Sequence, residues 1–144
     1  QASDRTENLP AIKAWLDDAG LPNTPTPLDL DVNEAWPNQR FDAVFTANTL
    51  HILSWSEVES LFTHLEDVMA DFAKLVVYGP FNYGGRFTSD SNAQFDVWLK
   101  ARGSHQGIRD FEAVLELASR NGLCLIEDRA MPANNRCLVL QRNG

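Results

Sequence analysis

Cationic side chains are scarce in this chain: 12 Lys and Arg stand against 20 Asp and Glu, a formal net charge of -8 over 144 residues. A grip on phosphate backbones that ignores sequence takes clustered Lys and Arg. Bulk nucleic acid is therefore not expected as a partner. Histidines are few and scattered, at positions 51, 64 and 105, with no Cys or His at ligand spacing, so no zinc or other metal site is expected. The only cysteines, Cys124 and Cys137, fall in the last two strand candidates, where a hairpin would let them face each other. No secretory signal is recognisable, and reduced core thiols are expected rather than a disulfide. Apolar runs approaching the roughly 20 residues needed to cross a bilayer are also missing. The expectation is a soluble cytoplasmic protein with no membrane partner. Internal repeats and low-complexity tracts are absent too.

What is present is an ordinary globular composition, 44% apolar and 22% charged, enough for one domain over residues 1–144 with its own core. Its organising stretch runs from Arg40 to Leu65. Phe41 to Ala47 is a short, mostly apolar run suited to a strand covered on both faces, as parallel sheets require. Asn48, Thr49 and His51 follow, at what should be the strand's carboxyl end, where open α/β sheets bind ligands. Ser54 with Glu57 makes a capping box, flanked by Leu53 and Val58 as a hydrophobic staple. Val58, Leu61, Phe62, Leu65, Val68 and Met69 then recur at helical spacing, one stripe for packing on a sheet.

Before this stretch, Gln1 to Asp4 reads as the tail of a strand and Leu9, Ile12, Trp15 and Leu16 as one helix face, with Pro10 in the first turn and Gly20 as the stop. Leu28 to Val32 is a short strand ending in an acid. After it, Lys74 to Tyr78 is a buried strand, Phe81 to Ser89 a loop, and Ser89 or Asp90 the cap of a helix with Phe95, Trp98 and Leu99 as its apolar face. A further helix runs from Asp110 to Asn121-Gly122, and Leu123 to Glu127 and Arg136 to Gln141 are strands that can pair antiparallel. Trp15, Trp55 and Trp98 are expected in or against the core. The alternation implies an α/β fold, mostly parallel, with helices on both sides and an antiparallel C-terminal hairpin.

Phe41 to Ile52 resembles the fourth-strand motif of S-adenosylmethionine-dependent methyltransferases. The blocks Tyr78-Gly79-Pro80-Phe81-Asn82-Tyr83, Thr88 to Asp96, Gly107-Ile108-Arg109-Asp110 and Met131 to Asn135 are similar to the methyltransferase-like protein 26 family, long catalogued as a domain of unknown function. The resemblance implies a Rossmann-like class I methyltransferase sheet, S-adenosylmethionine as cofactor, and a small-molecule or protein methyl acceptor. That family opens with a first strand, a Gly-rich turn and a first helix, whereas this chain has no Gly-x-Gly-x-Gly pattern and starts at the equivalent of the second strand. Losing cover on about five large side chains, at roughly 1.5–3 kcal/mol each, would cost on the order of 10 kcal/mol. The expectation is therefore an N-terminally incomplete domain, unless a partner chain supplies the strand or the fold has rearranged.

For individual residues, the resemblance implies that Asp4 accepts hydrogen bonds from the cofactor's ribose, that Asp31 receives the adenine amino group with Val32 against the ring, and that Asn48 and Thr49 approach the methionine part. A helix cap at Asp4 and a plain strand end at Asn48 and Thr49 are the structural alternatives. His51 is the candidate proton acceptor, a role its ordinary pKa suits, though a packing or capping role stands beside it. Tyr78, Asn82, Arg86, Asn92, Asp96, Arg109, Asn134 and Asn135 lie on segments that should converge above the strand ends and form the candidate substrate set, with turn chemistry as the alternative. A non-catalytic binding or assembly domain of the same fold remains open. A nicotinamide-dependent dehydrogenase fits less well, because of the Asn-Thr-Leu-His turn and the closing hairpin.

Overall fold

Patterned apolar runs become eight strands and four α-helices in the computed structural model, which describes residues 1–144. The chain forms two compact units, Gln1–Pro37 and Asn38–Gly144. No helix is long and apolar enough to cross a membrane.

In the first unit, β1 (Ser3–Asp4) pairs in parallel with β2 (Leu28–Asp29), Ser3 opposite Leu28 and Asp4 opposite Asp29. Between them a 3-10 turn, Thr6–Asn8, leads into α1 (Leu9–Ala19). Pro10 sits in its first turn, and Gly20 ends it in the left-handed conformation, φ 57°, that a side chain would resist. Residue Asn8, rather than Asp4, is the N-cap of α1. The strand expected over Leu28 to Val32 stops at Asp29. Trp15 departs most from expectation: it is 76% exposed, because α1 faces only a two-stranded ribbon and buries none of its residues fully.

The second unit is built on a four-stranded sheet in the order β3 (Phe41–Ala47), β4 (Met69–Gly79), β8 (Asn135–Arg142), β7 (Leu123–Met131). β3 runs parallel to β4, with Ala47 opposite Tyr78. β8 is antiparallel to both β4 and β7, so the last strand inserts in the reverse sense, as the expected closing hairpin requires. Leu75 and Val77 of β4 align with Leu140 and Leu138 of β8, and these four form the buried sheet face. Against it lie α2 (Trp55–Val68), with Val58, Phe62 and Leu65 buried, and α4 (Phe111–Arg120), with Val114, Leu117 and Ala118 buried. The other face of β3 leaves Phe45 68% exposed.

α2 begins on a complete capping box, the Ser54 amide donating to Glu57 (2.7 Å) and the Glu57 amide to the Ser54 hydroxyl (3.2 Å). Both β4 and β7 outrun their expected lengths. β7 continues past Glu127 to Met131 because a bulge between Leu125 and Glu127 breaks the alternation by which a strand is recognised. The expected loop after Pro80 holds a short strand, β5 (Phe81–Asn82), paired in parallel with β6 (Arg109–Asp110). α3 (Asp90–Arg102) is capped by Ser89, whose hydroxyl accepts from the Asn92 amide. Its face differs from expectation: Asn92, Asp96 and Leu99 are buried, whereas Trp98 is 51% exposed. The two polar residues replace apolar ones because partners distant in sequence satisfy them. Cys124 and Cys137 are free thiols and do not face each other, since Cys124 pairs with Gln141 and Cys137 with Arg129.

Candidate functional site

The carboxyl ends of β3 and β4 converge on one small constellation. At the end of β3, Asn48 takes a left-handed backbone, φ 54°, while its amide still donates to the Tyr78 carbonyl at 2.9 Å. Asn is among the few residues that tolerate this conformation. The chain then closes a turn, the Ile52 amide on the Thr49 carbonyl at 3.1 Å, and the Thr46 hydroxyl donates to the Thr49 hydroxyl at 2.8 Å. This turn carries His51 inward to 6% exposure. Gly79, ending β4, lies beside both: a methyl group built there would rest in ordinary contact with Asn48 Oδ1 at 3.8 Å and His51 Nδ1 at 3.9 Å.

The His51 ring meets Phe95 of α3 edge-on, 5.3 Å between centroids, and its nitrogens form no hydrogen bond within the protein. Burial first, and the nearby Arg109 charge second, hold the imidazole below its ordinary pKa. A neutral ring with a free nitrogen can accept a proton at neutral pH.

The candidate substrate residues divide by what already occupies them. Tyr78 is half-buried at the end of β4, and Arg86 closes the tight Tyr83–Arg86 turn through its main chain, its exposed side chain making no hydrogen bond or ion pair. Asn92 donates to the Thr88 hydroxyl (3.0 Å) and the Asn134 carbonyl (3.4 Å). Asp96 accepts from the Ile108 amide (2.8 Å) and from Lys100 (2.5 Å). Arg109 donates to three main-chain carbonyls, Leu50, Leu53 and His105. Asn82 Nδ2 reaches the Ile108 carbonyl at 3.4 Å, and its buried Oδ1 has no partner. Asn134 donates to Ser91 (3.3 Å) and Asn135 to the Pro132 carbonyl (3.3 Å).

A polar cluster that periodicity does not reveal lies beside them. The Tyr83 hydroxyl donates to Asp128 Oδ2 at 2.8 Å, Arg136 Nε to Asp128 Oδ1 at 2.7 Å, and the Tyr83 ring stacks on Phe111 at 4.6 Å. Burial and the bond to Asp128 push the Tyr83 phenol well above its ordinary pKa. Asp128 lies beyond the end that alternation assigns to its strand.

In the first unit, Asp4 and Asp31 lie at the same end of the parallel pair. Asp4 Oδ1 accepts from the Arg5 amide (2.7 Å) and from Asn8 (2.9 Å), which leaves Oδ2 without a protein donor. Asp31 Oδ1 accepts from the Asn33 amide (2.9 Å), and its Oδ2 lies 3.5 Å from Arg5 Nε. Val32 is half-buried. A cavity of about 300 Å³ opens here, lined by Arg5, Thr6, Glu7, Asp29, Asp31, Glu34 and Ala35. No group of three or more His, Cys, Asp or Glu is disposed to hold a metal ion.

Residues 1–142 match the model of the family described as Protein of unknown function (DUF938). The chain belongs to this family. Among solved structures, this DUF938 chain is similar to an O-methyltransferase family protein from Burkholderia thailandensis, with a TM-score of 0.86 at 15% identity over 99% of this chain and 43% of that one. It is similar to a putative O-methyltransferase from Nostoc punctiforme, TM-score 0.84 at 18% identity over 97% and 43%. The mitomycin 7-O-methyltransferase MmcR gives 0.82 at 17% identity over 97% and 40%. The chain spans about two-fifths of the length of these structures. At such identities the likeness establishes the fold: the DUF938 chain has a Rossmann-like α/β fold of the class I methyltransferase type.

Proposed function

We propose that this DUF938 chain is the core of an S-adenosylmethionine-dependent methyltransferase, acting in the cytoplasm on a small molecule or protein whose acceptor atom carries a proton. The tie to the methyltransferase-like protein 26 family belongs to this reading. The observation that carries it is the buried, neutral and unpartnered imidazole of His51 at the carboxyl ends of β3 and β4.

The donor chemistry of each unit, taken by itself, supports the cofactor part of this reading. Asp4 keeps one carboxylate oxygen free at the end of β1, suited to a vicinal pair of ribose hydroxyls. Asp31 and Val32 offer an acceptor and an apolar surface to adenine, and Asn48 and Thr49 present amide and hydroxyl groups at the end of β3. S-Adenosylmethionine, when bound, supplies a methyl group activated on a sulfonium. The chain's own task is orientation and proton removal. His51 takes the proton from the acceptor's O–H or N–H, and Phe95 covers one side of its ring with apolar surface that limits water. Tyr78 and Arg86, whose polar contacts are all main-chain, are the members of the substrate set with side chains freest to meet an acceptor.

Calorimetric titration of the full-length protein with S-adenosylhomocysteine tests the reading. Saturable binding is expected, weakened at least about tenfold by Asp4→Ala, the scale of a lost hydrogen bond to a charged group. A full-length protein that shows no heat and no thermal shift ends the enzyme reading.

A further inference from the structure

We infer that the Gly107–Asp110 segment is a clasp that fixes the turn bearing His51, with Arg109 as the positioning residue. This rests on the methyltransferase reading only for the purpose it assigns to His51. The clasp itself follows from where four consecutive residues spend their polar groups.

The Gly107 amide donates to the His51 carbonyl at 2.9 Å. A side chain at Gly107 would meet Asp96 Oδ1 at 3.1 Å and Lys100 Cε at 3.3 Å, so the segment lies against α3 with no space to spare. The Ile108 amide donates to Asp96 Oδ1 at 2.8 Å, which anchors the segment to α3. Arg109 then reaches across the chain, with Nε on the Leu50 carbonyl at 3.0 Å and Nη2 shared between the Leu53 carbonyl and the His105 carbonyl. Asp110 completes β6 against Asn82 of β5 and occupies the N-cap position of α4.

Leu50 and Leu53 bracket His51. One planar guanidinium therefore holds the main chain on both sides of the imidazole, and the Gly107 amide holds it at the imidazole's own carbonyl. A rigid fork of N–H donors does this, and a point charge does not. Arg109 is the one charged group that acts on His51; on the packed elements Asp96 is paired with Lys100 of α3, and Glu57 of α2 is held on the Ser54 amide. Arg109 forms no ion pair, and its charge is felt both by Asp96 and by the imidazole it positions.

The test uses nuclear magnetic resonance of the protein and its Arg109→Gln and Arg109→Lys variants. With three histidines in the chain, the imidazole signals are assignable by substitution. In the wild type, His51 should titrate below its ordinary 6.5, and the Gly107 amide should exchange slowly. In R109Q the His51 midpoint should rise and Gly107 exchange should quicken at least about tenfold. R109K keeps the charge and loses the fork, so it should leave the midpoint near that of the wild type and still quicken Gly107 exchange. A folded R109Q with both readouts unchanged overturns the clasp, and so does R109K behaving as wild type in both. Should R109Q not fold, the wild-type Arg109 Nε–H decides: slow exchange with solvent supports the clasp, and free exchange overturns it. Absence of S-adenosylhomocysteine binding to the wild type would remove the methyltransferase reading and leave these readouts standing.

Discussion

His51 couples the site to stability through one proton. Its folded pKa lies below the ordinary 6.5 because burial and Arg109 both oppose the charged ring, so on acidification the unfolded chain binds the proton first. Its contribution is complete above about pH 6.5 and is lost as pH falls from there towards the lowered folded value. His51→Gln should flatten this part of the profile when thermal melts are compared between neutral and mildly acidic pH, and equal slopes in the two proteins would refute the assignment. Asp96 makes a second demand at the same scale. Its 5% exposed side chain accepts the Ile108 amide, so Asp96→Ala strands a buried donor at a cost of about 1–3 kcal/mol. Asp96→Asn keeps an oxygen for that amide and should cost less, the order to be read from urea midpoints.

Whole elements show which information is local. α2 is legible because everything that defines it lies within its own turns: the Ser54–Glu57 box and the stripe from Val58 to Met69, all buried as the spacing requires. The face of α3 is not, because Asn92 and Asp96 are buried by partners 42 and 12 residues away, Asn134 and Ile108. The same limit applies to the site. His51, Asn48 and Asp4 can be found at strand ends by pattern, but Arg109 looks like a free cation until its carbonyl acceptors, 59 and 56 residues distant at Leu50 and Leu53, are known. The β7–β8 hairpin exposes a local misfit of another kind. Ala133 sits at φ 58° and ψ 36° in the turn Pro132–Asn134, where an L side chain costs roughly 1–2 kcal/mol. Ala133→Gly should therefore stabilise the protein by about 0.5–1 kcal/mol, glycine's extra unfolded freedom taking back part of the relief. A lower denaturation midpoint for the glycine variant would contradict it.

At the scale of the molecule, the two units have very different means of holding themselves together. Asn38–Gly144 buries a core drawn from both its helices and its sheet, with Phe62, Leu65, Leu75, Val114, Leu138 and Leu140 at 1% exposure or less. Gln1–Pro37 has one helix with no buried residue and a ribbon of two short strands, with a single paired edge each. A two-stranded ribbon is marginal by itself, and a unit of fewer than about 40 residues seldom sustains a core. What fixes the shape of the first unit is polar and local: Arg5 between Glu7 and Asp31, Asn8 on Asp4, and Thr6 on Asp29. Such exposed pairs contribute about 1 kcal/mol or less each. Local opening of α1 should therefore be far easier than opening of the sheet, and its amides, Leu9–Ala19, should exchange at least about 100-fold faster than those of Leu138 and Leu140. S-Adenosylhomocysteine that uses Asp4 and Asp31 would narrow this gap by stabilising the ordered first unit, in proportion to its occupancy. Amide exchange measured with and without the ligand reads both effects in one experiment. Protection of α1 equal to that of the central strands in the free protein would show that burial is a poor guide to where this chain opens.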